Sequence, residues 1–113
     1  MVENDSIVYL YGFSIRFVYK LGNLLKILKV QSKTYINIIL VFIHDGVLGT
    51  SKKSKIPPSL VELLNLPITI YAMIPDIIAR GLDPMNLRNK IEGIDYKELV
   101  DILIDTPKIV SWM

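Results

Sequence analysis

The only histidine, His44, stands beside Asp45 at the end of an apolar run, and this pair is where acid–base chemistry would first be sought. A working His–carboxylate pair needs its side chains within hydrogen-bond reach. Consecutive residues of an extended strand point to opposite faces, so the two converge only if the turn after the run bends them together. No Gly-x-Ser-x-Gly elbow supplies a nucleophile nearby. The expectation at His44 is therefore an exposed imidazole at a strand end, placed to touch a partner or substrate. The chain has no cysteine. A disulfide framework, a thiolate metal site, a thiol nucleophile and persulfide carriage by this chain are thereby excluded. A single histidine also rules out a multi-His metal site, and no catalytic residue, metal or cofactor is expected.

Other charged groups invite weaker readings. The stretch Gly49 to Lys55 (GTSKKSK) has hydroxyls and lysines but lacks the second glycine and helix entry of a phosphate cradle, so a mobile, solvated loop is expected. No G-x-G-x-x-G motif is present. Lys26, Lys29 and Lys33, with Arg16 and Lys20 at the margin, form a basic helix face. The net charge of +2 provides little long-range field and no aromatic residues interleave with these lysines, so direct nucleic-acid binding is not expected. Arg80 closes a helical turn, where a cation suits the carbonyl dipole or an ion pair across a subunit boundary.

The elements that must position these groups follow from apolar periodicity. Ser6 to Tyr11 (SIVYLY) is β-branched and aromatic and ends at Gly12, a strand. Ser14 is the expected cap of a helix whose buried face gathers Phe17, Val18, Leu21, Leu24, Leu25 and Leu28. Tyr35 to Ile43 is nearly continuously apolar, as in a strand covered on both faces. Pro57-Pro58 opens a short helix through Leu64, and Pro67 to Met73 is a third strand. Asp76 to Arg80 is a helical turn closed by Gly81. Asp83-Pro84 starts another short helix to about Lys90, and Ile91 to Ile94 is a fourth strand. Asp95 caps a helix through Asp105, with Glu98 completing a capping box, and Lys108 to Trp112 is a final strand. Strand and helix alternate five times. The expected fold is an α/β protein: a three-layer α/β/α sandwich on a five-stranded, mostly parallel sheet, with any site at the carboxyl ends of the strands.

Length and composition set the frame. At 113 residues one domain, 1–113, is expected, and an apolar share of 51% excludes disorder. The sequence opens Met-Val-Glu-Asn-Asp-Ser, acidic where a secretory signal is positive, and the longest unbroken apolar run, Ile38 to Ile43, is too short to span a bilayer. A cytoplasmic location without membrane contact is expected. Mean hydropathy is high, +0.42, which suggests apolar surface covered by other subunits. Residues 1–55 carry a net +5 and residues 56–113 a net −3, a polarity within one unit because no Ser/Gly linker separates the halves.

A series of short motifs carries a more specific reading. Asp45-Gly46-Val47 after an apolar strand, Pro67 to Met73 (PITIYAM), Asp76 to Leu82 (DIIARGL), Ile94-Asp95-Tyr96 and Val110-Ser111-Trp112 together resemble the DsrH/TusB family of DsrE/DsrF/DsrH-like sulfur-relay proteins. The resemblance covers about residues 37 to 113, while the first 36 agree only in strand–helix pattern. It implies a five-stranded parallel α/β/α sandwich and assembly with DsrE/TusD-like and DsrF/TusC-like sisters, with sulfur passing as a persulfide on a sister's cysteine to a TusA-like carrier. The destinations are 2-thiolation of the tRNA wobble uridine or sulfur oxidation. Some DsrH proteins carry a cysteine and this chain does not, and His44 stands where Gln or Glu often precedes Asp-Gly. The expected role is a non-catalytic subunit whose relay edge or interface includes His44, Asp45, Arg80 and Trp112. The alternatives are a small α/β enzyme or ligand-binding protein using His44 and Asp45, and a homo-oligomeric interaction module.

Overall fold

In the computed structural model, residues 6–35 and 37–113 are described. The expectations placed on the acidic opening residues 1–5, and on Ile36 within the second strand, lie outside them. Five strands form one sheet: β1 (Ser6–Tyr11), β2 (Asn37–Phe42), β3 (Thr69–Met73), β4 (Ile91–Ile94) and β5 (Lys108–Trp112). Their order is β4-β3-β2-β1-β5, and every pairing is parallel. Parallel neighbours require crossovers, and the helices supply them: α1 (Val18–Gln31), α2 (Pro58–Leu64), α3 (Ile74–Ala79) and α4 (Tyr96–Asp105).

Alternation along the strands divides the core into two layers. Ile7, Tyr9, Tyr11, Ile38, Leu40, Phe42, Ile70 and Ala72 pack on one face under α1 and α2, through Leu21, Leu24, Leu25, Leu28, Leu60 and Leu63. Val8, Leu10, Val41, Ile43, Met73 and Ile94 pack on the other face, against Leu99, Ile102 and Leu103 of α4. Both faces of the central strands are covered, which is why β2 reads as unbroken apolar sequence. Ile77 of α3 joins the first layer, so three helices contribute to it and α4 alone covers the second. None of the α4 side chains is fully buried.

Four expectations need correction. Ser14 does not cap α1: the helix starts four residues later at Val18, and the Ser14 hydroxyl instead accepts from the Arg16 N–H at 3.2 Å. The chain makes an extra turn after β1 before turning helical, and this leaves Phe17 and Val18 exposed, outside the buried stripe. The segment after Asp83 is a single 3-10 turn, Pro84–Asn86, and no helix continues to Lys90. The loop 49–55 is anchored along its length. Thr50 and Ser51 are buried, Ser51 bridges to Leu87, the Arg88 N–H donates to the Thr50 carbonyl at 2.9 Å, and the Arg88 guanidinium donates to the Gly49 and Ser54 carbonyls. Only the lysine side chains of that loop reach solvent freely. Where chemistry within a few residues decides, the match is close: Asp95 and Glu98 form the expected reciprocal capping box on α4, and Gly81 takes the left-handed conformation (φ 74°) after α3.

Candidate functional site

The parallel strands bring their carboxyl ends to one side of the molecule. The register aligns Gly93, Ala72, Phe42, Tyr11 and Trp112 in one row across all five strands. The chain leaves β2 through Ile43 and enters a 3-10 turn, His44–Gly49. His44 begins that turn with φ 48°, the one described non-glycine residue with positive φ. A β-carbon makes this conformation costly, and two contacts hold it in place. The His44 N–H donates to Asp76 Oδ2 at 2.8 Å, and the Gly46 N–H donates to the Ile43 carbonyl at 2.8 Å. Gly46 lies so close to the Tyr11 carbonyl that no β-carbon fits there.

The turn redirects Asp45 away from His44. Asp45 Oδ1 accepts from Arg80 Nε at 2.9 Å, and Arg80 Nη1 reaches back to the Asp76 carbonyl at 3.3 Å. Asp76 thus serves both neighbours, binding the His44 backbone through its side chain and the Arg80 guanidinium through its carbonyl. The result is a brace from the end of β2 to the helix that follows β3. Arg80 is 25% exposed and Asp45 60%, so one partner is clamped while the other remains accessible. Asp76 is the residue that sequence reading passed over. In the sequence it stands out only as the first residue of the Asp76–Arg80 turn and of the DIIARGL motif, and its spacing of four from Arg80 is the available signal.

Trp112 lies at the same end of the sheet but does not join this brace. Its carbonyl accepts from the Gly12 N–H at 2.8 Å, and its ring stacks at a tilt against Tyr11, 6.2 Å between centroids. Gly12 separates the two groups: a β-carbon there would meet Met113 Cγ at 3.3 Å and His44 Cδ2 at 3.5 Å. The four expected residues therefore divide into a polar trio over β2 and β3 and an aromatic edge over β1 and β5, joined at Gly12.

Beneath this end lies Tyr11, fully buried, whose hydroxyl has no hydrogen-bond partner among the described residues. Burial pushes its pKa up to about 12. Among the described residues no cluster of three or more His, Cys, Asp and Glu side chains could hold a metal ion. Asp45, bound to Arg80, is not arranged as the orienting partner of His44. What the arrangement offers is a firmly held, partly exposed polar surface beside an aromatic edge.

Comparison with known proteins places the chain in a family. The family described as "DsrH like protein" matches residues 20–109. The chain belongs to this DsrH-like family. The match begins within α1, further upstream than the motif series reached. Protein TusB of Escherichia coli K12 is 34% identical to this DsrH-like chain over 73 residues, 65% of this chain and 73% of that protein. Protein TusB of Pectobacterium carotovorum is 30% identical over the same length and shares of both chains. The fold is shared more widely. The YchN protein of E. coli superimposes with a TM-score of 0.73 at 14% identity, covering 95% of this chain and 98% of its own. A conserved protein of unknown function from Bacteroides thetaiotaomicron gives 0.72 at 20% identity, covering 99% and 98%. No helix among the described residues is long and apolar enough to cross a membrane.

Proposed function

We propose that this DsrH-like chain is a non-catalytic subunit of a cytoplasmic sulfur-relay complex, acting as one domain that docks a cysteine-bearing DsrE/TusD-like sister. The observation that carries the reading is a pairing of chemistry with architecture. A member of a family tied to thiol-borne sulfur has no thiol of its own, yet it holds a strained residue and a braced ion pair at the end of its sheet. Backbone strain persists only where surrounding contacts enforce it, and such strain clusters at functional positions. His44, Asp45, Arg80 and Trp112, held by Asp76, are assigned to that docking edge. A DsrF/TusC-like sister and a TusA-like carrier complete the proposed assembly, and tRNA wobble-uridine 2-thiolation is the destination favoured by the likeness to TusB.

The docking edge is tested by binding a purified DsrE-type sister from the same genome to the chain and to its His44→Ala and Arg80→Ala variants. Retained fold with binding weakened at least about tenfold, equivalent to about 1.4 kcal/mol, is the expected result. Unchanged binding by both variants would remove these residues from the interface.

A further inference from the structure

Two helical faces on opposite sides of the sheet carry opposite charge. Helix α1 and helix α4 cover opposite faces of the sheet. The α1 segment and its flanks carry Arg16, Lys20, Lys26, Lys29 and Lys33 with no carboxylate between them. The α4 helix and its cap carry Asp95, Glu98, Asp101 and Asp105 against one Lys97. Lys29 pairs with Glu62, but neither Lys26 nor Asp101 nor Asp105 has an ion-pair partner among the described residues. Apolar surface accompanies the charge on both sides. Tyr96, Val100 and Ile104 recur every four residues along α4 as an exposed stripe, with Ile104 at 75% exposure. On α1, Lys26, Ile27, Val30 and Gln31 line an open hollow of about 280 Å³. That is below the ~300–1,000 Å³ typical of small-ligand sites. It is shallow and open to solvent, and its lining is mostly apolar.

We propose that the α4 stripe of one copy of this chain docks on the α1 face of a second copy, with Ile104 entering the hollow and Asp101 or Asp105 meeting Lys26. An exposed apolar knob on one face and a receptive hollow on another make a heterologous contact, in which each copy offers one surface and uses the other. The proposed contact at Ile104 and Lys26 uses the ends of α4 and α1 that point away from the carboxyl ends of the strands.

Sedimentation of the purified full-length chain tests the contact. The wild type is expected to form species larger than a dimer as concentration rises, and molar salt is expected to weaken them because exposed charges are then screened. Ile104→Glu and Val30→Glu each alter an exposed position and should keep the native circular dichroism. Each should sediment as a monomer alone, and an equimolar mixture should form a 1:1 dimer, since each variant retains the surface its partner lacks. Asp101→Lys provides a second α4 variant and should also be monomeric. A wild type that stays monomeric at high concentration overturns the proposal, including the case in which a different protein is then found on α4. Variants that keep the wild-type mass, or a mixture that stays monomeric, overturn it as well.

Discussion

At the residue scale, the strand-end region joins tight packing to local strain, and the two respond differently to substitution. Gly46→Ala forces a β-carbon into the Tyr11 backbone carbonyl. A backbone neighbour cannot rotate away, so a loss of about 1–3 kcal/mol is expected in a denaturant titration. His44→Gly should do the opposite. Releasing the β-carbon from φ 48° offsets the added freedom of the unfolded chain, so stability should stay within about 1 kcal/mol of wild type while sister binding falls. A variant that binds normally would mean the imidazole has no part in docking. Tyr11 gives a pH prediction with a definite sign. Its folded pKa of about 12 lies above the ordinary 10.0, so the unfolded chain loses the phenolic proton first as pH rises. Stability is therefore expected to be level below pH 10 and to fall from there towards pH 12. Tyr9, also raised, chiefly by its burial, adds to the same trend. Tyr11→Phe removes a buried hydroxyl without a described partner and should leave neutral-pH stability equal or higher while reducing the alkaline loss. An unchanged alkaline profile would assign the effect elsewhere.

At the element scale, α4 is attached by its ends and one half-buried stripe, whereas α1 is anchored by four buried leucines. Leu28→Ala should cost about 2–5 kcal/mol, as for a fully buried leucine. Asp95→Ala should cost about 1 kcal/mol by opening the capping box, and hydrogen exchange should report it as faster opening of α4 alone. What was legible in the sequence follows the same physics. Strands β1, β4 and β5, helix α2, the α4 cap and the Gly81 stop were readable because each is fixed by residues close in the chain. The start of α1 was not, because Ser14 is a good cap by type and only packing after β1 delays the helix to Val18. The loop 49–55 looked solvated by composition; its anchor, Arg88, lies more than thirty residues downstream, and no local pattern announces a pairing with backbone carbonyls. The site was legible in the same proportion. His44, Asp45 and Arg80 stood out by type and place, whereas their common link through Asp76 depends on contacts 32 residues apart.

At the scale of the whole molecule, the charge asymmetry of the two halves becomes a difference between faces, because the first half supplies α1 and the last supplies α4 on the other side of the sheet. The ends of the strands form a third surface, and it is there that the DsrH-like chain is proposed to meet its sisters. Zero cysteine gives this division its place in the proposed role: in that reading thiol-borne sulfur travels on another chain, and this one is proposed to contribute by shape and contact. The most direct test of that role is recovery of the tagged full-length protein from its native host, with the native mass measured and the bound chains identified. The account predicts a stable heteromer that contains a DsrE-type sister bearing a reactive cysteine. Recovery of the chain alone, as a monomer or only with copies of itself, would contradict it.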